Sequence, residues 1–435
     1  MATARHHKKK LVRAAVVAGL VSALGVGQMA ANASPYHHPT AVSTSPTMSM
    51  PVLALTDGQP KPVAYTVAEA GSQMVVGGRF QTVENGNRTV QYTRRNVFAF
   101  DATTGAVSQG FAPNVDGDVW GTWSDGTSVY IGGAFRNVNG QPRSTLAKLS
   151  LATGELDPNF VPPFTGGRIS DIAMVNGQLI VSGTFQKRLA SLNPTTGKLT
   201  TYINHVVGGR LPNSDSAQVF HFDVSPDRQH LVAVGNFLTV DNQPRPRAFM
   251  LDLGATSSTL SSWNYEPLGI PCSSGRRNAQ AYVLDVDFAP DSSYFAFAAF
   301  GFMYQTGQRG FQLCDSASRF ETDNLNPSAP TWINYTGGDS LKSVAVTGAA
   351  VYVQGHSRWL NNPFGRDSAG PGAVERPGGG AIDPVSGLAL PWNPVMPQQA
   401  GGFQILPTAT GVWFATDGIR FGGKYRRGIR FAPLP

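Results

Sequence analysis

One long loop, 357–377, combines the side-chain types that most often recognise sugars and anions. Its candidate ligand-binding residues are Arg358, Trp359, Asn361, Asn362, Arg366, Asp367 and Arg376. An indole ring offers a flat apolar face beside amide groups that can bond hydroxyls, and a guanidinium matches a carboxylate or phosphate. The same composition fits a loop that packs on itself and is pinned by an Arg–Asp pair. The loop is therefore a candidate binding site with a structural alternative.

An arginine also recurs late in the loop that precedes one strand of every repeat described below. The positions are Arg94, Arg143, Arg188, Arg245 or Arg247, Arg309, Arg376, and Arg426 or Arg427. Loops on this side of the predicted fold hold more Lys and Arg than Asp and Glu, which would concentrate anions. A residue at a fixed repeat position can instead be structural, with its stem packed and its head paired. Both interpretations stay open at this point.

Signatures of catalysis are scarce. The sequence has no Gly-x-Ser-x-Gly elbow, no Walker loop and no HExxH motif. Its histidines beyond residue 33 show no metal-ligand spacing, and Asp116-Gly117-Asp118 lacks the further ligands of a calcium loop. We therefore predict no catalytic residue, no metal and no cofactor, although a carboxylate pair for glycoside cleavage could assemble in three dimensions.

The loops are positioned by an internal repeat that is clearest over 129–160. Short apolar runs that end in glycine recur about every 50 to 65 residues, at 74–78, 129–133, 179–183, 231–235, 294–301, 351–355 and 412–418. Each period has room for four strands of ordinary length and their turns. No stretch shows sustained helical periodicity. The pattern predicts an all-β chain folded as a single seven-bladed β-propeller of four-stranded antiparallel blades.

The innermost strands are predicted near 63–69, 118–123, 169–174, 218–224, 281–288, 341–346 and 401–406. The seventh repeat ends after its third strand, which would leave an unpaired edge. The apolar segment 51–55 precedes the first repeat and belongs to no unit. We predict that this N-terminal segment supplies the missing strand and so closes the ring.

The pattern Gly-Gly-x-Phe, followed by a glycine, an arginine and an apolar strand, resembles the delta-60-type repeat of secreted bacterial β-propellers. The matching segments are Gly132-Gly133-Ala134-Phe135 through Arg143, Gly183-Thr184-Phe185, and Gly235-Asn236-Phe237 through Arg245. The resemblance covers most of the chain, and the last three units are degenerate. It implies a propeller and an extracellular location. The family has no agreed catalytic residues, so it assigns none here.

The N-terminal residues predict export. Residues 1–33 contain five basic residues, an apolar run over 14–26 and the small-x-small sequence Ala31-Asn32-Ala33, the layout of a cleaved signal peptide. The alternative is an uncleaved anchor, but the run is shorter than the roughly 20 residues that span a bilayer. Cleavage would lower the net charge from +7 to about +2, which removes the support for nucleic-acid binding. Residues 34–50 are rich in Ser, Thr, Pro and His and predict a disordered arm, so the propeller would span 51–435.

The two cysteines, Cys272 and Cys314, are an even pair in a chain predicted to be exported. We expect a disulfide between them, and two buried thiols are the alternative.

The composition, loops and repeat together predict a secreted, monomeric binding or scaffold module. Its partner would be a cell-surface glycan, an anionic polymer or a protein, bound by the face that carries the longest loops. The alternative is an extracellular glycan hydrolase or lyase with its site in the axial funnel of that face, and a spacer without a ligand is a third possibility.

Overall fold

The computed structural model describes residues 35–210, 216–272, 282–301, 311–397 and 401–435. The predicted signal peptide, 1–33, and Arg309 lie outside these ranges. Within them, no helix is long and apolar enough to cross a membrane. The one helical segment is a short 3-10 turn, Glu266–Gly269, so the described chain is all-β.

Seven antiparallel sheets follow one another along the described chain, and each pairs its first strand (a), second strand (b) and third strand (c) in that order. Sheets 1 to 4 contain Val63–Ala70, Gln73–Arg79 and Val97–Asp101; Val119–Ser124, Ser128–Gly133 and Leu146–Ser150; Ile169–Val175, Gln178–Gly183 and Leu189–Leu192; and Val219–Val224, His230–Gly235, Ala248–Leu253 and Ser258–Leu260. Sheets 5 to 7 contain Tyr282–Phe288, Tyr294–Phe300, Ser316–Glu321 and Trp332–Tyr335; Leu341–Val346, Val351–Gly355 and Gly379–Ile382; and Gly402–Thr408, Gly411–Thr416 and Ile429–Pro433. The a strands predicted from the sequence agree with these bounds to within one or two residues.

A fourth strand (d) is a full element only in sheets 4 and 5. In sheets 1, 2, 3 and 6 its place is marked by single antiparallel bridges from strand c, Phe100 to Val107, Leu149 to Leu156, Leu192 to Leu199, and Ile382 to Ala389.

Short hairpins between strands b and c form separate small sheets. Their strands are Thr82–Glu84 and Gln91–Thr93 with Val52–Leu53; Asn137–Val138 and Gln141–Pro142; Thr239–Val240 and Gln243–Pro244 with Val207–Gly208; Trp359–Leu360 and Val374–Glu375; and Arg420–Phe421 and Lys424–Tyr425.

The glycine that ends strand b has a specific steric cause. A Cβ added to Gly133 would lie 2.0 Å from the carbonyl oxygen of Asp118, the residue just before strand a of the same sheet. Gly78, Gly183, Gly235 and Gly355 meet the equivalent carbonyl at 1.9 to 2.3 Å. The backbones approach so closely because strand a carries a β-bulge at this point in all seven sheets. Bulges of this kind tighten the local twist and redirect side chains.

Apolar side chains fill the space between consecutive sheets. One buried cluster lies between each pair from sheets 1 and 2 to sheets 6 and 7. A further cluster packs Trp413 and Phe431 of sheet 7 against Val76 and Phe98 of sheet 1. Each strand a also contacts strand a of the next sheet, and that of sheet 7 contacts that of sheet 1.

The N-terminal segment differs from both sequence-based expectations. Residues 35–50 are not a disordered arm, because Thr47 and Ser43 donate backbone N–H bonds to Phe431 and Pro433 at 2.9 and 2.8 Å. Val42 and Met50 are buried. The apolar residues Val52 and Leu53 do not extend sheet 7 as a fourth strand; they pair with Glu84 and Val83 of the first hairpin.

Residues 43–47 therefore occupy the edge of sheet 7 where the fourth strand was expected. The Thr47 N–H bonds to the carbonyl of Phe431, five residues after the recurring Arg426. The N–H groups of Ser108 and Leu390 bond in the same way in sheets 1 and 6, each to the carbonyl five residues after the recurring arginine. The prediction that the N-terminal part of the chain adds to this edge named the wrong residues, 51–55.

The disulfide between Cys272 and Cys314 is confirmed, with their Cα atoms 5.7 Å apart. It joins the segment that follows sheet 4 to the residues just before strand c of sheet 5.

Candidate functional site

The bulge brings one side chain from each strand a to the same level of the fold. These residues are Tyr65, Trp120, Ser170, Phe220, Leu284, Lys342 and Phe403. Four of the seven are aromatic and one is cationic. They lie at the end of the sheets where each strand a begins, so they line the entrance to the space between the a strands.

Part of this layer forms an aromatic–arginine cluster made of Tyr65, Trp120, Phe403, Arg168 and Asp118. The rings of Tyr65 and Trp120 are stacked 3.8 Å apart, and Phe403 meets Tyr65 edge-on at 4.8 Å. The Arg168 guanidinium carbon lies 4.3 Å from the Trp120 ring centre. A ring face covered by Tyr65 at 3.8 Å has no room for a guanidinium, so Arg168 covers the opposite face. Both faces of Trp120 are therefore occupied.

The charges of this cluster are partly removed from water. Burial lowers the pKa of Arg168, and the nearby Tyr65 and Asp118 partly offset this decrease. Burial raises the pKa of Asp118, and the positive charge of Arg79 partly offsets this increase. Burial also raises the pKa of Tyr65 to about 12. Arg168 donates through Nε to Ser170 Oγ at 3.2 Å, which orients the guanidinium. Arg168, Arg79 and the half-buried Lys342 carry positive charge at this entrance, and two carboxylates oppose them, Asp118 beside Arg79 and Asp417 beside Lys342.

Below this layer lies an acid cluster made of Asp171, His221, Asp223, Asp285 and Asp287. Its carboxylates link neighbouring a strands, because each accepts a backbone N–H from the next sheet: Asp171 from Phe222 at 3.1 Å, Asp223 from Phe288 at 2.7 Å, Asp285 from Val344 at 3.0 Å and Asp287 from Val346 at 2.6 Å. Gln404 Oε1 of sheet 7 accepts from Val67 of sheet 1 at 2.7 Å in the same way. The main role of these groups is thus to join the a strands.

Burial dominates the ionisation of the acid cluster. It raises the pKa of Asp285 to about 7, and the nearby His221 opposes that effect. It also raises the pKa of Asp223 and of Asp287, whose side chains lie within hydrogen-bonding reach of each other. Burial would lower the pKa of His221, but its contact with Asp171 and the charge of Asp285 outweigh burial and raise it. Within the described residues, no group of three or more His, Cys, Asp or Glu has an arrangement that could hold a metal ion.

The recurring arginines are structural at the positions where their contacts are seen. Arg94, Arg245 and Arg376 each donate to the carbonyl of the preceding residue and to the carbonyl just after the strand d position, that of Ser108, Ser261 or Leu390, at 2.6 to 3.2 Å. Arg188 donates to the carbonyls of Ala217 and Val207. Arg426 reaches the carbonyls of Met48 and Met50 at 3.0 and 2.7 Å, which are supplied by the N-terminal segment. The structural interpretation of this repeat position therefore holds.

Replacing such an arginine should destabilise the fold. We expect Arg376→Met to lower the free energy of unfolding by about 2 kcal/mol, because two carbonyls would lose a charged donor. The exposed Arg366→Met is the control and should change it by less than about 0.5 kcal/mol. Urea unfolding with an unchanged slope measures both. Equal effects of the two substitutions would contradict a structural role for Arg376.

The loop over 357–377 is largely bonded to itself and to sheet 5. Asn362 is fully buried and donates to the carbonyls of Thr336 and Ser368 at 2.9 and 3.0 Å. Asn361 exchanges bonds with Asn334, and Arg376 is used as described above.

The remaining candidates in this loop are charged or aromatic. Arg358 forms a bidentate pair with Asp339 at 2.8 and 2.9 Å, contacts Asp367, and lies 4.4 Å from the Trp359 ring centre. Arg366 and Asp367 are exposed. Of the seven candidates, these two are exposed, and Arg358, Trp359 and Asn361 are partly exposed.

Residues 124–160 match a family model described as a domain of unknown function (DUF5122) β-propeller. The match supports a β-propeller repeat family. It covers strand b, the hairpin and strand c of sheet 2, the part of the chain in which the repeat is clearest. No curated protein matches the chain. The crystal structure of the computationally designed Ika8 protein is similar, with a TM-score of 0.46 and 10% identity over 88% of this chain and 98% of that one.

Sequence reasoning missed both the aromatic–arginine cluster and the acid cluster. A partial signal was present, because Tyr65 and Trp120 precede the glycines that end their b strands, Gly78 and Gly133, by the same number of residues. Asp171, His221 and Asp285 stand at different distances from the glycines that end their b strands, because the turns between strands a and b differ in length. Only the pairing of strands a and b brings these three residues to one level.

Proposed function

We propose that the chain is a secreted binding module that captures an anionic group of a surface polymer at the aromatic–arginine cluster. The observation that supports this most directly is the half-buried Arg168, whose guanidinium carbon lies 4.3 Å from the Trp120 ring centre. A guanidinium fixed in this way loses little freedom on binding and is already partly dehydrated. The proposed binding site is the aromatic–arginine cluster at the entrance between the a strands.

An anion suits this cluster better than a neutral sugar does. Sugar stacking needs a free aromatic face, and both faces of Trp120 are covered. Two further cations, Arg79 and Lys342, lie near the same entrance, opposed by the carboxylates of Asp118 and Asp417. The ligand class we favour is therefore a carboxylate-, phosphate- or sulfate-bearing polymer. Binding through 357–377 remains a second, weaker possibility through the exposed Arg366.

The proposed architecture is a closed seven-bladed propeller of the delta-60 type. It is supported by the contacts that run from each strand a to the next and from sheet 7 back to sheet 1, and by the buried apolar cluster shared by sheets 7 and 1. Export is supported by the disulfide, which forms in oxidising compartments, together with the leader-like residues 1–33.

Binding is tested with polygalacturonate as the anionic polymer and dextran as the neutral one, at 50 and 300 mM salt. We expect binding to polygalacturonate that weakens with salt and no binding to dextran. Arg168→Gln should weaken binding at least about tenfold, the loss of one charged hydrogen-bonding group. Arg366→Gln is the matched control and should leave it unchanged.

The opposite pattern, in which Arg366→Gln abolishes binding and Arg168→Gln does not, would move the site to the loop 357–377. Equal binding of the two polymers would remove the anion-binding proposal.

A glycan hydrolase or lyase in the same entrance is the alternative function. The observation in its favour is Asp285, whose pKa near 7 suits a general acid. Both of its oxygens accept backbone N–H bonds, from Val286 at 3.0 Å and Val344 at 3.0 Å, which makes a role in joining strands the better explanation. Release of reducing ends from polygalacturonate, lost in Asp285→Asn with binding retained, would favour the enzyme.

A further inference from the structure

Sheet 4 departs from the other sheets at one place on its outer edge. Asp241, His205 and Ser258 lie in a line: His205 Nδ1 is 2.7 Å from Asp241 Oδ2, and His205 Nε2 is 3.2 Å from Ser258 Oγ. The three residues come from the segment after sheet 3, the hairpin of sheet 4 and the start of strand d. We call them the Asp241–His205–Ser258 relay.

Comparison with sheet 2 separates the structural part of this arrangement from the part that is new. Asn139 occupies the hairpin position of Asp241, and each exchanges bonds with a neighbouring backbone segment: Asn139 with Asn114, and Asp241 with Val206. In sheet 2 the side-chain amide of Asn139 then donates directly to the carbonyl of Gly154 at 3.0 Å. A carboxylate cannot donate, and in sheet 4 a histidine and a serine replace that single bond.

The proton positions follow from the partners. Hydrogen bonds from His205 and the Val206 amide outweigh burial and lower the pKa of Asp241, so its carboxylate is charged and accepts only. Neutral His205 must then carry its proton on Nδ1 and present a lone pair at Nε2. The Ser258 hydroxyl donates to the Tyr202 carbonyl at 2.8 Å, and rotation about its Cβ–Oγ bond turns the same proton toward Nε2.

Access differs along the relay in a way that suits a nucleophile at its outer end. The His205 side chain is 9% exposed. Ser258 is partly exposed and follows the exposed turn 254–257. Beside His205, Val206 is 69% exposed and offers an apolar contact. Nucleophilic catalysis requires a hydroxyl that the substrate can reach and a base beside it that is shielded from solvent, and Ser258 and His205 are placed in this way.

We infer that the relay is a nucleophilic site that hydrolyses carboxylic esters. Ser258 Oγ forms a bond to the ester carbonyl carbon while its proton moves to His205 Nε2. The carbon–alkoxy bond breaks, and Nε2 returns the proton to the departing alcohol. A water molecule then attacks the acyl group with the same proton transfer, which releases the carboxylic acid and restores the serine hydroxyl. Asp241 acts through His205 and is a positioning residue.

The site lies at the outer edge of sheet 4, whereas the proposed anion site is at the entrance between the a strands, so the two proposals stand independently. A positioned base contributes about 10²- to 10⁴-fold, which makes an activated ester the suitable substrate. The test therefore uses p-nitrophenyl acetate and a fluorophosphonate probe on the full chain without its leader.

We expect the unmodified chain to hydrolyse p-nitrophenyl acetate at least about tenfold faster than Ser258→Ala does. This factor is a lower bound on the rate contribution of a positioned base. The phosphonate should be found on Ser258 by peptide mass mapping. Ser257→Ala, the adjacent exposed serine, is the matched control and should match the unmodified chain. His205→Gln, which preserves a hydrogen-bonding side chain but not a base, should fall to the Ser258→Ala rate with an unchanged melting temperature.

Equal rates for the unmodified chain and Ser258→Ala, or a phosphonate adduct on any other residue, would overturn the inference and leave the relay as a structural bridge. If Ser258→Ala unfolds, the location of the adduct on the unmodified chain still decides.

Discussion

A chain that begins at residue 51 should melt about 10 °C below one that begins at residue 35. The shorter chain loses the buried side chain of Val42 and the buried Met50, each contributing about 1.5 to 3 kcal/mol. It also leaves the guanidinium of Arg426, which is 1% exposed, without the Met48 and Met50 carbonyls, at a cost of about 1 to 3 kcal/mol. Together these losses lower the free energy of unfolding by about 6 kcal/mol. The melting temperature of a chain of this size falls by about 1 to 2 °C for each kcal/mol lost.

A chain that begins at residue 39 provides the graded control. It retains the backbone bonds of Ser43 and Thr47 to the edge of sheet 7 and loses only the docking of Tyr36 and His38, whose ring bonds to the Thr408 carbonyl at 2.8 Å. We expect its melting temperature to lie between the other two. A synthetic peptide of residues 35–50 should restore the melting temperature of the chain that begins at 51. If that chain melts within about 2 °C of the longest one, the segment does not complete sheet 7.

The sequence was informative about strands a and b because their constraints are local. The glycine of strand b is required by a carbonyl that faces it, as at Gly133, and such a requirement leaves glycine at this position in sheets 1, 2, 3, 4 and 6. The apolar residues before it fill the clusters between sheets. Repetition makes both signals visible without knowledge of the tertiary structure.

The closing segment was misplaced for a physical reason. Residues 43–47 reach sheet 7 through backbone bonds, which leave no mark on side-chain type. Val52 and Leu53 are apolar because both are fully buried, Leu53 among the apolar residues of sheets 7 and 1, although they pair with the first hairpin and not with a strand of sheet 7. The apolar pattern predicted burial correctly and strand order incorrectly.

The residues of the candidate sites are close together in three dimensions, and their spacing along the sequence does not reveal this proximity. Asp171, His221 and Asp285 meet only because the bulge places them at one level of three different strands. The Asp241–His205–Ser258 relay draws on segments that are far apart in the chain. The loop 357–377 was selected for its composition, and most of its polar groups turned out to have internal partners, as with Asn362.

Stability should decline as pH rises from 5 to 8. Burial raises the pKa of Asp285 from its ordinary 3.8 to about 7, so the folded chain holds this proton more tightly than the unfolded chain does. The resulting stabilisation is complete below about pH 4 and is lost as pH rises through 7, a change of about 4 kcal/mol for a shift of this size. Asp223 and Asp287 act in the same direction, because burial raises the pKa of each.

Asp287→Asn isolates the effect at one residue pair. The side chains of Asp223 and Asp287 lie within hydrogen-bonding reach of each other, so two carboxylates face each other there unless one is protonated. An asparagine at 287 would keep an oxygen for the Val346 N–H, bonded at 2.6 Å to Asp287, and would present an amide donor to Asp223. We expect a higher melting temperature at pH 8 and a weaker pH dependence.

The exposed Asp323→Asn, in the turn after strand c of sheet 5, serves as the control, and its pH dependence should follow the unmodified chain. Melting temperatures measured at pH 5, 6, 7 and 8 distinguish the outcomes. A lower melting temperature for Asp287→Asn at pH 8, or a melting temperature of the unmodified chain that rises from pH 5 to 8, would mean that the acid cluster is ionised in the folded state. The cluster would then join the a strands as charged acceptors, with no stabilisation from bound protons.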